Sequence, residues 1–222
     1  MTYQFDFSVL LPYWEQLLRG CWLTVLLSAI SIAAGLMIGI LTALAKQSRF
    51  AAARMAAGTY VEVIRNTPFL VQVFFIFFGL PALGISFQPW SAAVLALSLN
   101  CGAFSAEVIR GGIDAIARGQ YEAGTALGLK PLQVFRYIVL KPALRIIFPA
   151  LSGQFVLTLL TTSIVSSISA EELTSIAQSI DTLTFRSFEI YIVATILYLT
   201  MSFGFATLFK LVDRLYFSYP VK

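Results

Sequence analysis

Long apolar runs alternate with short polar segments along the whole chain. Each run is close to the roughly 20 residues that a helix needs to cross the hydrocarbon core, where every backbone group must bond within its own segment. The pattern predicts five membrane-spanning helices, at residues 20–45, 61–80, 90–109, 146–168 and 188–209. We therefore expect an all-α integral membrane protein in which residues 1–222 form one domain.

Composition supports this class and excludes several others. Hydrophobic residues make up 59% of the chain and charged residues 12%, whereas a soluble domain has about 25% charged residues. The absence of histidine and the presence of only two cysteines leave no ligand set for zinc and no disulfide framework. The spans carry no carboxylate pair at catalytic spacing, so a membrane-embedded enzyme is not expected. The long apolar run after Arg19 also differs from a cleaved signal peptide.

Positive charge is distributed unequally between the two sets of loops. One set has only Arg19 and Arg186, next to the acidic segment 169–189. Because cytoplasmic loops are enriched in Lys and Arg, we expect the N-terminus outside and the C-terminus in the cytoplasm. The net charge of +4 follows from this asymmetry and does not indicate a nucleic-acid partner. The predicted cytoplasmic cations are Lys46, Arg49, Arg54, Arg110, Arg118, Lys130, Arg136, Lys141, Arg145, Lys210, Arg214 and Lys222.

The longest predicted cytoplasmic loop, 110–145, contains the pattern of two short helices. A run of helix-forming residues beginning at Glu122 ends at Gly128, which permits a turn that other residues resist. Pro131 then suits the first turn of a second helix. Such a projection is suited to docking on a soluble partner.

The order of residues in this projection resembles the EAA loop of bacterial ABC importer permeases. The positions that we assign to it are Glu122, Ala123, Gly124, Gly128, Leu129 and Phe135. In that family the loop is a coupling helix, which inserts into a cleft of a cytoplasmic ATPase. Two departures are Gly124, where the family often has alanine, and Pro142, which is displaced by one residue from its usual place after Leu140.

Two flanking stretches, 64–72 and 106–120, are similar to the polar amino-acid permeases of the histidine, glutamine and arginine type. The resemblance implies the type I importer permease fold and a substrate that is a polar amino acid. It also implies three protein partners: cytoplasmic ABC ATPase subunits, a second permease subunit that is identical or homologous, and a periplasmic amino-acid-binding protein. The chain has no P-loop, so we expect no cofactor in it and assign ATP and Mg to the partner ATPase.

Polar residues inside the spans are the candidates for a translocation path. We expect Asn66, Thr67, Gln154 and Ser166 to bind the amino and carboxyl groups of the solute near the midplane, with Glu171 attracting a cationic solute outside. Two alternatives stay open: span residues of these types also bond to neighbouring helices, and an exposed acidic residue is often merely solvated.

Several local pairs and caps are also predicted. We expect ion pairs between Glu62 and Arg65 and between Glu107 and Arg110, from their i,i+3 spacing. The order Ser169 to Glu172 predicts a capping box with Ser169 as the N-cap of a short outer helix ending near Ile180.

Gly35 and Gly39 form a small-residue face for close helix contact, either within the chain or between protomers. The alternative to an ABC permease is an ion-coupled secondary transporter or channel for small polar solutes, which would be active in lipid membranes without an ATPase.

Overall fold

The computed structural model describes residues 3–216, so the predicted cytoplasmic cation Lys222 lies outside the described residues. The described residues contain helices, turns and loops and no β-strand. The α-helices are α1 (Trp14–Lys46), α2 (Ala51–Arg65), α3 (Phe69–Phe74), α4 (Pro89–Asp114), α5 (Arg118–Ala126), α6 (Pro131–Val134), α7 (Leu140–Thr161), α8 (Leu173–Thr184) and α9 (Ser187–Tyr216).

Tighter or wider helical turns extend several of these helices. A 3₁₀ segment leads into α1, and π and 3₁₀ turns continue α3. A π turn joins α6 to α7, and a 3₁₀ segment continues α7. These five segments are Phe7–Tyr13, Phe75–Gly79, Leu80–Leu83, Phe135–Val139 and Thr162–Ile168.

The centre of the fold is the close pairing of α1 with α4. A Cβ atom added at Gly35 would lie 2.7 Å from Cys101 Cβ, and one added at Gly39 would lie 2.7 Å from Ser105 Cβ. Only glycine allows this approach of the two backbones. The residue numbers increase together on both helices, so α1 and α4 run parallel. The small-residue face predicted in the first span therefore serves a contact within the chain.

Four helical stretches are long and apolar enough to cross a membrane: Phe7–Lys46, Pro89–Asp114, Pro131–Ile168 and Ser187–Tyr216. A further pair, Ala51–Arg65 and Phe69–Leu83, meets at 112°. The predicted second span at 61–80 therefore needs correction, because its chain is broken at residues 66–68. Pro68 has no N–H for the helical ladder and disfavours helical geometry in the residue before it.

Helix α8, predicted to lie outside, begins differently from the prediction. The carboxylate of Glu172 accepts hydrogen bonds from the backbone N–H of Thr174 at 2.9 Å and of Ser175 at 2.7 Å, so Glu172 is the N-cap. Ser169 instead ends the preceding 3₁₀ segment with a left-handed φ of 59°. The predicted capping box at Ser169 is wrong, and the helix continues past Ile180 to Thr184.

Candidate functional site

Residues 118–139, called here the knob, form the predicted pair of short helices. Gly128 adopts a φ of +74° between them, a left-handed conformation that suits glycine. Pro131 is the first residue of α6, where its missing N–H costs no helical bond. The side chain of Gln133 accepts a hydrogen bond of 2.8 Å from the backbone N–H of Lys130 and closes the turn. The predicted turn at Gly128 and the predicted start of the second helix at Pro131 are confirmed, whereas the first helix begins at Arg118, four residues before Glu122.

Gly124 explains one departure from the EAA pattern. It is buried where α5 crosses the segment after α6. A Cβ atom added there would lie 2.7 Å from Ile138 Cδ1 and 2.9 Å from Val134 Cγ2. Glycine therefore lets the two arms of the knob pack closely. The other departure, Pro142, is the third residue of α7 and follows the π turn through which the helix continues from α6.

The knob is firmly attached to the helices behind it. α4 ends at Asp114, and α5 begins at Arg118 after three linking residues, of which Ile116 is buried in a cluster with Val134 and Ile147. A Cβ atom added at Gly112 of α4 would lie 2.2 Å from Ile147 Cγ1 of α7. A displacement of the knob must therefore be shared by α4 and α7.

The tip of the knob leaves apolar side chains uncovered. Leu127 and Leu132 are each 77% exposed, and Glu122 and Ala123 are exposed beside them. Leu127 precedes the apolar stretch Pro131–Ile168, and Leu132 lies at the beginning of that stretch. Exposed apolar groups bordered by polar ones are typical of a protein docking surface.

A polar cleft of about 310 Å³ lies among α1, α2 and α4. It is lined by Lys46, Val61, Glu62, Arg65, Asn66, Phe104 and Glu107. Its lining is mostly polar, which distinguishes it from the apolar grooves along α9. The cleft therefore offers charged and amide groups at one end of the helix bundle.

Glu107 connects the helices around this cleft. Its carboxylate lies 2.6 Å from Lys46 Nζ of α1, 2.9 Å from Arg110 Nη2 of α4 and 3.7 Å from Arg65 Nη1 of α2. The predicted pair of Glu107 with Arg110 is confirmed. The predicted pair of Glu62 with Arg65 is wrong, because Arg65 is directed to Glu107 on another helix while Glu62 is exposed.

Asn66 and Thr67 close the C-terminal end of α2. The amide of Asn66 donates 2.8 Å to the Glu62 carbonyl, and the hydroxyl of Thr67 donates 2.7 Å to the Val63 carbonyl. Both side chains thus donate to the backbone of α2, which differs from the predicted alternative of bonds to neighbouring helices. Asn66 also lines the polar cleft.

Gln72 holds the break between α2 and α3. Its side-chain N–H groups donate to the carbonyls of Ile64 at 2.7 Å and Thr67 at 3.1 Å, which the break has left without helical partners. Its side-chain oxygen accepts a hydrogen bond of 3.1 Å from Asn100 of α4. The backbone of the break is therefore tied to α4 through one buried amide.

The five residues predicted to contact substrate are spread along the bundle. Glu171 is paired at 3.0 Å with Arg19, near the start of α1, whereas Asn66 lines the cleft that contains Lys46 at its end. With a rise of 1.5 Å per residue, these two ends of α1 are about 40 Å apart. Ser166 donates 2.8 Å to the Ser163 carbonyl in the 3₁₀ segment after α7. Gln154 is partly buried in the middle of α7.

The structure also identifies residues that the sequence prediction omitted. Lys46 was predicted only as a cytoplasmic cation and Gln72 only as part of the stretch 64–72, although both are bonded at the cleft or at the break. The available signals were a polar residue within the apolar run FLVQVFF and a cation at the end of the first span. Neither signal identifies the partner, because the partners are distant along the chain.

Comparison with known proteins now adds to this geometry. Residues 35–217 match the model of the family described as binding-protein-dependent transport system inner membrane component. The chain belongs to this family. The knob, with its short helices and exposed tip, is accordingly a feature of an inner-membrane transport component.

Relatives in this family match nearly the whole chain. The glutamine transport system permease protein GlnP of Escherichia coli K12 is 36% identical, covering 95% of this chain and 97% of its own. The nopaline permease NocM of Agrobacterium fabrum is 35% identical, with coverage of 94% and 90%. The L-cystine permease TcyB of Bacillus subtilis is 34% identical, with coverage of 91% and 87%.

Solved structures show the same fold. The crystal structure of an amino acid ABC transporter with histidines matches with a TM-score of 0.91 and 35% identity, covering 96% of this chain and 99% of that one. The MetNI methionine transporter matches at a TM-score of 0.70 and 21% identity, with coverage of 91% and 98%, which shows the fold alone. The homologues are permease subunits of ABC importers, in which the ATPase is a separate subunit. The chain is a permease subunit of the inner membrane and not itself the ATPase.

Proposed function

We propose that this permease imports a polar amino acid, driven by ATP hydrolysis in partner subunits. The class of solute is supported by relatives named for the transport of glutamine, nopaline and L-cystine. The observation that carries the proposal is the knob, a rigid projection with an exposed apolar tip. No group in the described residues has to hold nucleotide, because ATP and Mg belong to the partner.

The proposed topology has five spans, with the bent pair α2–α3 as the second. Four continuous stretches and this pair satisfy the length and composition of spans. The excess of Lys and Arg in one set of loops supports a cytoplasmic position for the knob and the C-terminus and an outer position for the N-terminus. The parallel course of α1 and α4 agrees with one bent span between them, because a single return crossing brings the chain back to the side on which α1 began.

The knob is the proposed docking element for the ATPase. Glu122 and Ala123 with the exposed Leu127 form the contact surface, while Gly124, Gly128, Leu129 and Phe135 give the knob its shape. Gly124 and Gly128 do so by close packing and by a left-handed turn. Leu129 and Phe135 are half-buried against the cluster that joins the knob to α4 and α7.

The other proposed partners follow from the family. A second permease subunit, identical or homologous, completes the translocation path between two copies, and lipid covers the remaining apolar surface. A periplasmic binding protein delivers the amino acid at the outer end. Glu171, which is exposed at that end beside Arg19, is placed to meet the arriving solute.

Within this proposal the polar residues contact the solute in succession and not in one pocket. Glu171 marks the outer mouth, Ser166 and Gln154 follow along the fourth span, and Asn66 and Thr67 lie at the inner end. This order is supported by the separation of about 40 Å between the two ends of α1. It replaces the midplane site expected from the sequence.

The test is the variant Glu122→Arg, purified with its ATPase and binding protein and reconstituted into liposomes. Reversing the charge on the docking surface should abolish amino-acid uptake and the stimulation of ATP hydrolysis by loaded binding protein. Thermal stability should be unchanged because Glu122 is exposed. The matched control is Glu15→Arg, the same charge change at an exposed position at the start of α1.

Uptake and hydrolysis at wild-type rates in Glu122→Arg would contradict the docking role. Uptake by liposomes that contain this chain alone, driven by an ion gradient, would instead support a secondary transporter.

A further inference from the structure

We propose that Asn100 and Glu107 are positioning residues, through which α4 moves the break at residues 66–68 whenever the knob moves. The inference rests on the proposed docking of the ATPase on the knob. It assigns a role to contacts that the docking itself does not use. Asn100 and Glu107 act on the second span and do not need to touch the solute.

The two residues lie on the same face of one rigid helix. They are seven residues apart in α4, which is about two turns, so their side chains point in nearly the same direction. The C-terminal end of α4 continues through three residues into the knob. α4 therefore works as a lever between the knob and the break.

Asn100 contacts the chain after the break, and Glu107 contacts the chain before it. Asn100 binds the side chain of Gln72, which in turn binds two carbonyls at the break. Glu107 attracts Arg65, the last residue of α2. Two contacts that both originate on α4 thus support the chain on the two sides of the 112° bend.

The contacts of Glu107 differ in length and in exposure to water. The pair with Lys46 of α1 measures 2.6 Å, whereas the pair with Arg65 measures 3.7 Å and Arg65 is 42% exposed. The guanidinium of Arg65 also lies over the ring of Phe104, 5.4 Å from its centre. Glu107 therefore binds α1 more closely than it binds the end of α2, and α2 is also held to α4 where the Tyr60 hydroxyl donates 2.6 Å to the Leu99 carbonyl.

A purely structural role is the competing explanation, and it predicts different behaviour. Partly exposed ion pairs contribute little to stability, so their loss should leave the fold intact. If the contacts transmit movement from the knob to the break, ATP hydrolysis should continue after their loss while less amino acid is imported for each ATP hydrolysed. The ratio of amino acid imported to ATP hydrolysed is a quantity that a structural role does not change.

The experiment measures this ratio for Asn100→Ala and Glu107→Gln in the permease reconstituted with its ATPase and binding protein. The matched control is Asp114→Asn, which removes an acidic partner of Arg110 from the exposed end of the same helix. We expect the ratio to fall about tenfold in each test variant. The melting temperature should change little in Glu107→Gln, and the control should behave as wild type.

A labelling measurement locates the effect at the break. Leu70 is 40% exposed and lies in the first turn after Pro68. In a background without Cys21 and Cys101, the rate of maleimide labelling of Leu70→Cys should change when the ATPase is trapped with vanadate. In Glu107→Gln and Asn100→Ala this change should disappear.

Different results would contradict the docking of the ATPase on the knob and the positioning role of Asn100 and Glu107. Wild-type ratios and wild-type labelling changes in both test variants would overturn the role of α4, even if Glu122→Arg is inactive as expected. Wild-type coupling in Glu122→Arg would overturn the docking on which that role depends. Should Glu107→Gln fail to fold, Arg65→Gln removes the same contact from its exposed side, and a wild-type ratio there would also overturn the inference.

Discussion

Two glutamates at opposite ends of the bundle are held in opposite ways. Glu107 has a side chain that is 17% exposed and is surrounded by the cations of Lys46, Arg65 and Arg110. Glu172 is fully buried and accepts hydrogen bonds from two backbone N–H groups and, at 2.5 Å, from the Tyr198 hydroxyl. One carboxylate is balanced by charge and the other by neutral donors.

This difference indicates which end of the bundle is held in a fixed geometry and which end can rearrange. Directional hydrogen bonds to a buried acceptor are costly to break, because each donor is then left without a partner. Ion pairs near water tolerate changes of distance at small cost. The end of the bundle around α8 is therefore its fixed support, and the end near the knob is the part suited to rearrangement.

The largest expected effect on stability comes from replacing Glu172 by leucine. The change removes the cap of α8 and leaves the Tyr198 hydroxyl without its buried acceptor. We expect the free energy of unfolding to fall by about 2 to 4 kcal/mol. Thermal unfolding in mild detergent measures this, and Glu171→Leu is the control at an exposed neighbouring position. Equal melting temperatures for the two variants would contradict the contrast between the two ends.

A smaller effect on the stability of the fold is expected when the pH changes. Burial raises the pKa of the Glu172 carboxyl above its ordinary value of 4.5. The folded state thus holds this proton more tightly than the unfolded state, so the contribution to stability is present below pH 4.5 and is lost as pH rises through the raised pKa.

The variant Glu172→Gln keeps the size of the side chain and cannot ionise. The difference in melting temperature between wild type and Glu172→Gln should shift in favour of the variant as pH rises from 4.5. A difference that is constant across this range would show that the carboxyl does not titrate differently in the folded protein.

The smallest effect on stability is expected for Glu107→Gln. Its partners Lys46, Arg65 and Arg110 all reach water, and they can be solvated when the carboxylate is lost. We expect the free energy of unfolding to fall by about 1 to 2 kcal/mol, because the carboxylate is only partly exposed. A loss of unfolding free energy as large as that of Glu172→Leu would show that the end near the knob is held as firmly as the end around α8.

Local sequence patterns predicted much of this fold. The apolar runs predicted four of the long helical stretches, and Gly128 and Pro131 marked the turn within the knob, because these residues act through their own backbone geometry. The pairing of Glu107 with Arg110 followed from spacing on one helix.

The remaining features depend on packing between distant segments. The bond from Asn100 to Gln72 and the pair of Glu107 with Lys46 join residues that are 28 and 61 positions apart. The N-cap at Glu172 was missed because burial against Tyr198 of α9 decides which acidic side chain turns inward. The bend of 112° likewise depends on a bond to another helix as well as on Pro68.

The central claim is that this chain receives its driving force from a separate ATPase through the knob. The most direct measurement compares amino-acid uptake into liposomes containing the permease alone with uptake into liposomes that also contain the ATPase, binding protein and ATP. We expect the amino acid to accumulate against a gradient only in the complete system, and this accumulation to be lost when vanadate blocks hydrolysis. Accumulation by the permease alone would contradict it.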